Sequence, residues 1–487
     1  MDLERSQGRS ASTAVGLERA ALLWGLLGAS LLGCTPAVHP GDEVRPPRAV
    51  TASAVAPAPS TPLEPEPADG PSVAAVASAS PAAGSPPPAP PLPSPPPPPA
   101  RAVYVAAGQK IACAALDDGR VLCWGAAGFV GSLFPKGHRG ETPLEMPGLH
   151  GAMTIAIGIY DDLVCGLSAT GDVRCLHDEE TFANPVLEGA RSLAVGLDHA
   201  CAITDDRGVA CWGNGDHGVL GVASEFEREP RRIVGLTGIA GITAGAGRSC
   251  AWNDAGDVRC WGRFQAANDR DALTPVAAPQ LGPATVVVSA KHKDCALHHD
   301  GTVQCGVGRR PILRRTAQGG FVDGRGVRDA MQLAVGNQMA CAITQAAEVW
   351  CWGNAKWGRL GHGKTFLHIR DKHLRWRTPS RMRGLPKAID IATSGLHTCV
   401  RDENKAVWCW GSNVDGEVGR GAPPGGGLPP GRVETIDDAE QLALGSDFTC
   451  ALRGDGSIWC WGENAWGQCG TGSGDEQELV PARVALP

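Results

Sequence analysis

Paired cysteines are the residues of this 487-residue chain whose type and spacing most clearly predict chemistry. Sixteen of its eighteen cysteines form eight pairs with nine residues between the two members. The pairs are Cys113 with Cys123, Cys165 with Cys175, Cys201 with Cys211, Cys250 with Cys260, Cys295 with Cys305, Cys341 with Cys351, Cys399 with Cys409, and Cys450 with Cys460. The first cysteines of successive pairs lie 36 to 58 residues apart, and a period of roughly 20 to 50 residues indicates a solenoid, a propeller or an array.

The residues between two paired cysteines predict a β-hairpin. In CAALDDGRVLC, apolar residues flank a three-residue loop, Asp117 to Gly119, that ends in the glycine such a loop requires. This register sets Cys113 opposite Cys123, and opposed residues of antiparallel strands have Cα atoms about 4.5 to 5.5 Å apart, within reach of a disulfide. Zinc is the alternative, but it favours two to four intervening residues and needs four ligands at one point. We therefore predict eight disulfides, formed in an oxidising compartment, and no metal.

The segments around each hairpin complete a four-stranded unit. An apolar strand ending in glycine comes before the hairpin, as in LAVG to Gly196, and a Pro-x-x-Val strand ends the unit, as in EPRRIVGL. Trp-Gly follows the hairpin in six units, at Trp124, Trp212, Trp261, Trp352, Trp410 and Trp461. Four short strands per unit form a propeller blade, so we predict an all-β closed β-propeller with tryptophans packed between its blades.

The composite motif resembles the repeat of the regulator of chromosome condensation family over residues 101–487. It reads strand-Gly-x-x-His-x-Cys-Ala, a turn, then Val-x-Cys-Trp-Gly-x-Asn-x-x-Gly-x-Leu-Gly, with His199 and His397 at the histidine position. The resemblance implies seven blades, whereas the hairpins count eight, and we favour eight. Cys469 stands where the repeat has leucine, so we expect a free thiol in an apolar packing position.

The two ends of the repeat region predict how the ring closes. The first hairpin has a Val-Ala-Gly strand before it but no Pro-x-x-Val strand, while the chain ends on VPARVALP with no Val-Ala-Gly strand after it. Joined in one sheet, the first and last strands would complete a blade and remove the open seam. We therefore expect the two ends to share one blade.

The first hundred residues predict export and not a globular domain. Ala20 to Leu32 form an apolar run about 20 Å long as a helix, too short for a bilayer and typical of a signal peptide. The run leads to Leu31-Leu32-Gly33-Cys34, which resembles a bacterial lipobox with Cys34 as the acylated residue. Residues 1–33 are thus a predicted lipoprotein signal peptide. Residues 34–100 are a predicted lipid anchor and disordered linker, with 22 of the 39 prolines.

Composition and motifs exclude several function classes. A net charge of -7 gives no overall field to attract nucleic acid or an anionic membrane surface. No G-x-S-x-G, H-E-x-x-H or phosphate-loop motif is present, so we predict that the protein is not an enzyme and has no cofactor. The alternative is a propeller lyase or hydrolase acting on a polysaccharide or an antibiotic. Carboxylates or histidines clustered at one propeller mouth would favour that alternative.

A basic insertion from Gly361 to Arg383 is the candidate binding segment. Its core residues are Arg370, Lys372, Arg375, Trp376 and Arg377. Basic side chains interleaved with an aromatic residue suit an anionic partner.

These observations predict a lipoprotein of the bacterial cell envelope that displays its propeller as a scaffold. The expected partner is an unknown envelope or extracellular protein or glycan, and the protein is expected to be a monomer bound to the membrane only through its N-terminal lipid. The family includes exchange factors for a small nuclear GTPase and a secreted bacterial inhibitor of β-lactamase, and only the second setting matches an exported, oxidised chain. Thr35, in place of aspartate after Cys34, favours the outer membrane.

Replacing Cys34 with alanine is expected to abolish lipid modification, because the thiol is the acylated atom. Labelling of cells with a radioactive fatty acid measures this directly. The wild-type chain should take up label and the variant should not. If the wild-type chain takes up no label, the lipobox interpretation is wrong.

Overall fold

The ring of repeats is visible in a computed structural model. The structure describes residues 100–125, 140–161, 163–177, 187–263, 271–290, 293–307, 310–311, 324, 326–361 and 376–487. The predicted signal peptide, Cys34, the proline-rich linker and three residues of the basic insertion, Arg370, Lys372 and Arg375, lie outside these ranges. Within them no helix is long and apolar enough to cross a membrane.

The described residues form eight consecutive antiparallel sheets, numbered here as blades 1 to 8. Blade 1 contains β1 (Ala102–Ala107), β2 (Ile111–Leu116), β3 (Val121–Gly125) and β4 (Leu144–Glu145). Blade 2 contains β5 (Ala152–Ile157), β6 (Leu163–Ser168) and β7 (Val173–His177). Blade 3 contains β8 (Ala190–Val195), β9 (His199–Thr204), β10 (Val209–Asn214) and β11 (Phe226–Arg232). Blade 4 contains β12 (Ile239–Ala244), β13 (Arg248–Asn253), β14 (Val258–Gly262) and β15 (Ala272–Ala277).

The second half of the ring repeats the same order of strands. Blade 5 contains β16 (Ala284–Ala290), β17 (Lys293–His298), β18 (Val303–Val307) and β19 (Arg310–Pro311). Blade 6 contains β20 (Ala330–Val335), β21 (Met339–Thr344), β22 (Val349–Asn354) and β23 (Trp376–Arg381). Blade 7 contains β24 (Ala388–Thr393), β25 (His397–Asp402), β26 (Val407–Ser412) and β27 (Gly427–Arg432). Blade 8 contains β28 (Ala439–Leu444), β29 (Phe448–Arg453), β30 (Ile458–Glu463) and β31 (Gln477–Arg483).

The predicted all-β propeller and its eight blades are confirmed, and the seven-blade alternative is wrong. Units two and five, which lack Trp-Gly, also form blades, with three strands in the sheet of blade 2 and four in that of blade 5. In blade 2 the fourth-strand position holds a bridge between Val173 and Leu187, and residues 178–186 before it lie outside the described ranges. The helical elements of the described chain are three short 3-10 turns at Pro147–Leu149, Asp216–Gly218 and Lys356–Gly358.

Burial explains the order of strands within a blade. First strands of neighbouring blades contact one another, which places them around the centre of the ring. The second strand is buried along its whole length in β2, β9 and β21, because neighbouring blades cover both of its faces. The fourth strand is the most exposed, as the charged sequence FEREPRR of β11 shows. Each core therefore lies between two blades.

All eight predicted disulfides are present in the structure. In every blade the paired cysteines are direct partners in the register of the second and third strands, and their Cα atoms lie 4.0 to 4.2 Å apart. The sulfur atoms belong to the packed cores, since each of these cysteines is at most 1% exposed. Every bridge stays within one blade.

In order from blade 1 to blade 8, the bridges confirm each predicted pair. They join Cys113 to Cys123, Cys165 to Cys175, Cys201 to Cys211, Cys250 to Cys260, Cys295 to Cys305, Cys341 to Cys351, Cys399 to Cys409, and Cys450 to Cys460. None of these thiols is therefore left to bind zinc, the alternative that the paired cysteines had suggested.

The ring closes between blades 1 and 8, but the predicted shared blade is wrong. β1 belongs to the sheet of blade 1 and β31 to the sheet of blade 8. The two blades are joined by the Gln441 amide, which donates to the Val105 carbonyl and accepts from the Val105 N–H, both at 3.0 Å. The order of strand types repeats around the ring, so it does not show which strand begins a blade. In the structure each blade begins at the strand before the hairpin and ends at the Pro-x-x-Val strand, so both chain ends complete their own blades.

Cys469 is free and completely buried, as its leucine-like position in the repeat predicts. It packs in the core between blades 8 and 1, together with Trp124 and Phe448. Burial raises the pKa of its thiol well above the ordinary value, so the reactive thiolate form is disfavoured.

Alkylation without reduction should modify one cysteine in the protein that begins at Arg101, and only after unfolding, because Cys469 alone is unpaired and it is buried. Mass spectrometry of a digest should then show peptides linked within single hairpins. A link between two blades, or several alkylated cysteines, would contradict the register of the hairpins.

Candidate functional site

The two faces of the ring carry different kinds of connection. In each blade, the link from the first to the second strand and the link from the third to the fourth strand lie at one end of the sheet, which we call the loop face. The hairpin turns and the connections between blades lie at the other end, which we call the turn face. Among the links that the structure describes completely, the longest are 413–426 in blade 7 and 464–476 in blade 8, and both are on the loop face. Loops on a rigid scaffold are the usual place for binding residues.

The tryptophans of the Trp-Gly motif fix the loops at their bases. All six are completely buried between blades, as predicted. In four of them the indole N–H donates to a backbone carbonyl in the loop of the preceding blade. The pairs are Trp124 with Gln468 at 2.9 Å, Trp261 with Val219 at 2.7 Å, Trp410 with Arg359 at 3.0 Å and Trp461 with Glu417 at 2.9 Å. For the indoles of Trp212 and Trp352 no acceptor lies in the described part of the chain, and the corresponding links in blades 2 and 5 fall largely outside it.

Two glycines of the motif are required by close approaches at this junction. Gly462, directly after Trp461, has φ of 110°, and a Cβ atom there would lie 2.5 Å from the carbonyl oxygen of Asp447. Gly419, two residues after Glu417, has φ of 67°, and its Cβ atom would lie 2.6 Å from the indole nitrogen of Trp461. A side chain at Gly419 would push the loop away from the tryptophan, and one at Gly462 would push the third strand of blade 8 away from its own first link.

A buried threonine adds a second donor to the same carbonyl, and a buried histidine orients its hydroxyl. The Thr449 hydroxyl donates to the Glu417 carbonyl at 3.1 Å and lies 2.8 Å from Nε2 of His397. The threonine hydroxyl has one proton, which it donates to the Glu417 carbonyl. Nε2 of His397 must therefore donate to the threonine oxygen. His199 and Ser249 repeat this arrangement in blades 3 and 4. Burial lowers the pKa of His397 to about 3 and that of His199 to about 4, so both are neutral structural groups.

An acidic cluster occupies the loop face where blades 7 and 8 meet. Asp415 and Glu417 come from the long loop of blade 7, and Asp447 comes from the first link of blade 8. One carboxylate oxygen from each residue lies within 4.8 Å of the other two. Glu417 is completely buried, whereas the two aspartates are half-buried. The Asp415 N–H donates to Oε2 of Glu417 at 2.8 Å, and Gln477 donates to Oδ1 of Asp415 at 2.9 Å.

The carboxylates of the cluster lie close enough together to affect one another's pKa. Burial and, to a smaller extent, the neighbouring carboxylates of Glu417, Glu463 and Asp415 together raise the pKa of Asp447 to about 7. The ammonium of Lys110 opposes this rise. Burial also raises the pKa values of these three neighbours. Such a group of carboxylates can hold a proton or a cation.

Sequence analysis missed this cluster and predicted no metal site. Its members lie in two blades about thirty residues apart, so no local spacing marks them. The one local signal was the Asp-Gly-Glu segment within WGSNVDGEVGR, where Gly416 separates Asp415 from Glu417. That segment matched no complete ligand series.

The predicted basic binding segment is only partly described. Trp376 and Arg377 begin β23 and pair in register with Asn354 and Gly353 of β22, so the insertion is the loop-face link of blade 6. Arg370, Lys372 and Arg375 lie outside the described residues, as does Cys34. Their roles stay predictions.

Comparisons with known proteins identify the repeat and the fold. Patterns of the Regulator of chromosome condensation (RCC1) repeat match residues 190–219, 388–417 and 439–469, and also 347–401 and 455–487. The chain is 30% identical over 220 residues to the E3 ubiquitin-protein ligase HERC2 of Homo sapiens, covering 41% of this chain but only 4% of HERC2. It is 27% identical over 320 residues to the ultraviolet-B receptor UVR8 of Arabidopsis thaliana, covering 61% of this chain and 70% of UVR8. The structure of Prp20p from Saccharomyces cerevisiae shares the fold, with a TM-score of 0.52 at 18% identity over 77% of this chain and 86% of Prp20p.

Replacing His199 with glutamine should change how stability responds to pH. The folded-state pKa of about 4 lies below the ordinary value of 6.5, so the unfolded chain takes up this proton first as pH falls. The free energy of unfolding should therefore decrease below about pH 6.5, by about 1.4 kcal/mol per pH unit for this group, until about pH 4. Glutamine can still donate to Ser249 but does not titrate.

Urea unfolding with intact disulfides, at about pH 7.5 and about pH 5, measures this difference. The variant should lose less stability than the wild type between the two conditions. Equal losses in the two proteins would show that His199 is not kept neutral by the fold.

Proposed function

We propose that this protein, which carries regulator of chromosome condensation repeats in an eight-bladed propeller, binds a protein or a glycan through its loop face. The observation that carries this proposal is the way the loops are held. Their bases are fixed by buried tryptophan and hydroxyl donors to the loop backbone, while exposed side chains such as Trp466 face outward. A preorganised surface loses little conformational entropy on binding.

Trp466 is the clearest contact residue on this face. It lies in the long loop of blade 8, its side chain is half-exposed, and Nζ of Lys110 lies 4.9 Å from the centre of its ring. Two residues further on, Gln468 is completely buried and accepts the Trp466 N–H at 2.9 Å. Exposed tryptophans on a fixed backbone are the residues most enriched among binding hot spots.

The similar proteins support binding more than chemistry. UVR8 is a receptor, and Prp20p is reported with binding properties to Gsp1p and histones. In the described part of the chain, the acidic cluster is the feature that would favour the alternative of a lyase or hydrolase. Paired glycosidase carboxylates lie about 5 to 9.5 Å apart with the substrate between them, whereas these carboxylates approach within 4.8 Å and the central one is buried. They suit a shared ion better than a substrate.

We further propose that the propeller is held in the bacterial cell envelope, in the outer membrane, by a lipid on Cys34. The buried disulfides support this location, because such bridges form and persist in oxidising compartments. The proline-rich residues 34–100 would hold the propeller away from the membrane, and the basic insertion, with Arg370, Lys372, Arg375 and Arg377, would attract an anionic partner to the loop face.

Trp466→Ala should remove most partner binding, with an expected loss of at least tenfold in affinity, since truncating a hot-spot tryptophan costs about 2 kcal/mol or more. Val234→Ala is the matched control, because Val234 is also an exposed apolar side chain but lies on the turn face, between β11 and β12. The measurement is capture from envelope extracts followed by titration of the identified partner. Equal binding by both variants would show that the partner does not contact Trp466 or this part of the loop face.

A further inference from the structure

We propose that Asp415, Glu417 and Asp447 bind a divalent cation that prefers oxygen ligands, with calcium as the ion to test first. The site would join the long loop of blade 7 to the first link of blade 8. This inference does not depend on the identity of any macromolecular partner.

The distances fit a single ion. Calcium binds carboxylate oxygens at about 2.3 to 2.6 Å, so two oxygens on the same ion lie at most about 5 Å apart. The three carboxylates each offer an oxygen within 4.8 Å of the other two. A calcium ion takes six to eight ligands, and the half-buried sides of Asp415 and Asp447 leave room for water to supply the remainder.

Glu417 supplies an observation that an ordinary surface cluster lacks. Its side chain is completely buried, and its Oε1 atom has no hydrogen-bond partner among the residues that the structure describes. Burying a polar atom without a partner is costly, and more so when the group carries charge. The backbone cannot move away to relieve this, because Trp461 and Thr449 both donate to the Glu417 carbonyl. A cation would supply the missing partner.

The other blade junctions show that the fold does not require acids at these positions. In each junction one residue stands in the place of Glu417 and one in the place of Asp447. Three other described junctions carry Val219 with Gly247, Arg359 with Leu396, and Gln468 with Lys110. All share the same tryptophan contact, and none of the three places two acids together. The acids of blades 7 and 8 therefore need an explanation other than packing.

The described lysines and arginines form no ion pair with the cluster. Within the described ranges, no lysine or arginine nitrogen forms an ion pair with Asp415, Glu417 or Asp447. Lys110 is close enough to lower the pKa of Asp447, but its ammonium lies over the ring of Trp466. The negative charge of the cluster is thus available to an added ion.

Calorimetric titration of the full chain with calcium chloride, after treatment with a chelator, tests the proposal. One ion per chain should bind, and calcium should raise the temperature of thermal unfolding, because it binds the folded state. Asp447→Asn and Glu417→Gln keep the shape of the side chains but remove one charge each. Each variant should lower calcium affinity at least tenfold and reduce the calcium-dependent shift.

Asp455→Asn is the matched control, since Asp455 is an exposed carboxylate of the same blade on the turn face. It should bind calcium as the wild type does. The proposal is overturned if the wild-type chain shows no one-to-one binding at millimolar calcium, or if Asp447→Asn binds as tightly as the control. Circular dichroism in chelator shows whether each variant is folded, and the wild-type titration tests the site even if a variant is not.

Discussion

The bond from a buried indole N–H to a backbone carbonyl of the preceding blade is the interaction on which the loop face depends. A buried indole nitrogen without an acceptor would be costly, so the tryptophan holds the neighbouring loop at a fixed point. Gly419 is required because the loop and the tryptophan ring approach closely there. At the junction of blades 7 and 8, Thr449 and His397 complete the arrangement. Because only the backbone of the loop is used, its side chains are left to serve other purposes.

This division between backbone and side chain explains how one repeat can carry different chemistry. The position of Glu417 is held by Arg359 in blade 6 and by Gln468 in blade 8, with the same carbonyl bonded to a tryptophan each time. A charged side chain placed there cannot withdraw into solvent, since the backbone is fixed. The fold therefore keeps the carboxylates close together despite their mutual repulsion, as is usual for sites that hold a ligand.

Much of the fold could be predicted from the sequence, because the decisive contacts are local. The nine-residue spacing of Cys113 and Cys123 determines a hairpin register without any information from the rest of the chain, and the same argument gave eight blades. Closure could not be predicted, since the amide of Gln441 and the backbone of Val105 are more than three hundred residues apart. The acidic cluster was missed for the same reason. Asp447 and Glu417 meet only when two blades are side by side.

The confinement of every disulfide to one hairpin has a consequence for how the chain acquires its structure. Each cysteine's correct partner is only ten residues away, and segments of that length close in about 10 to 100 ns. Short loops also lose less entropy on closure than long ones, so oxidation favours neighbouring cysteines even with sixteen thiols present. Each hairpin can therefore acquire its own disulfide without any contact from another blade. No disulfide joins two blades, so disulfide formation does not constrain the order in which the blades dock.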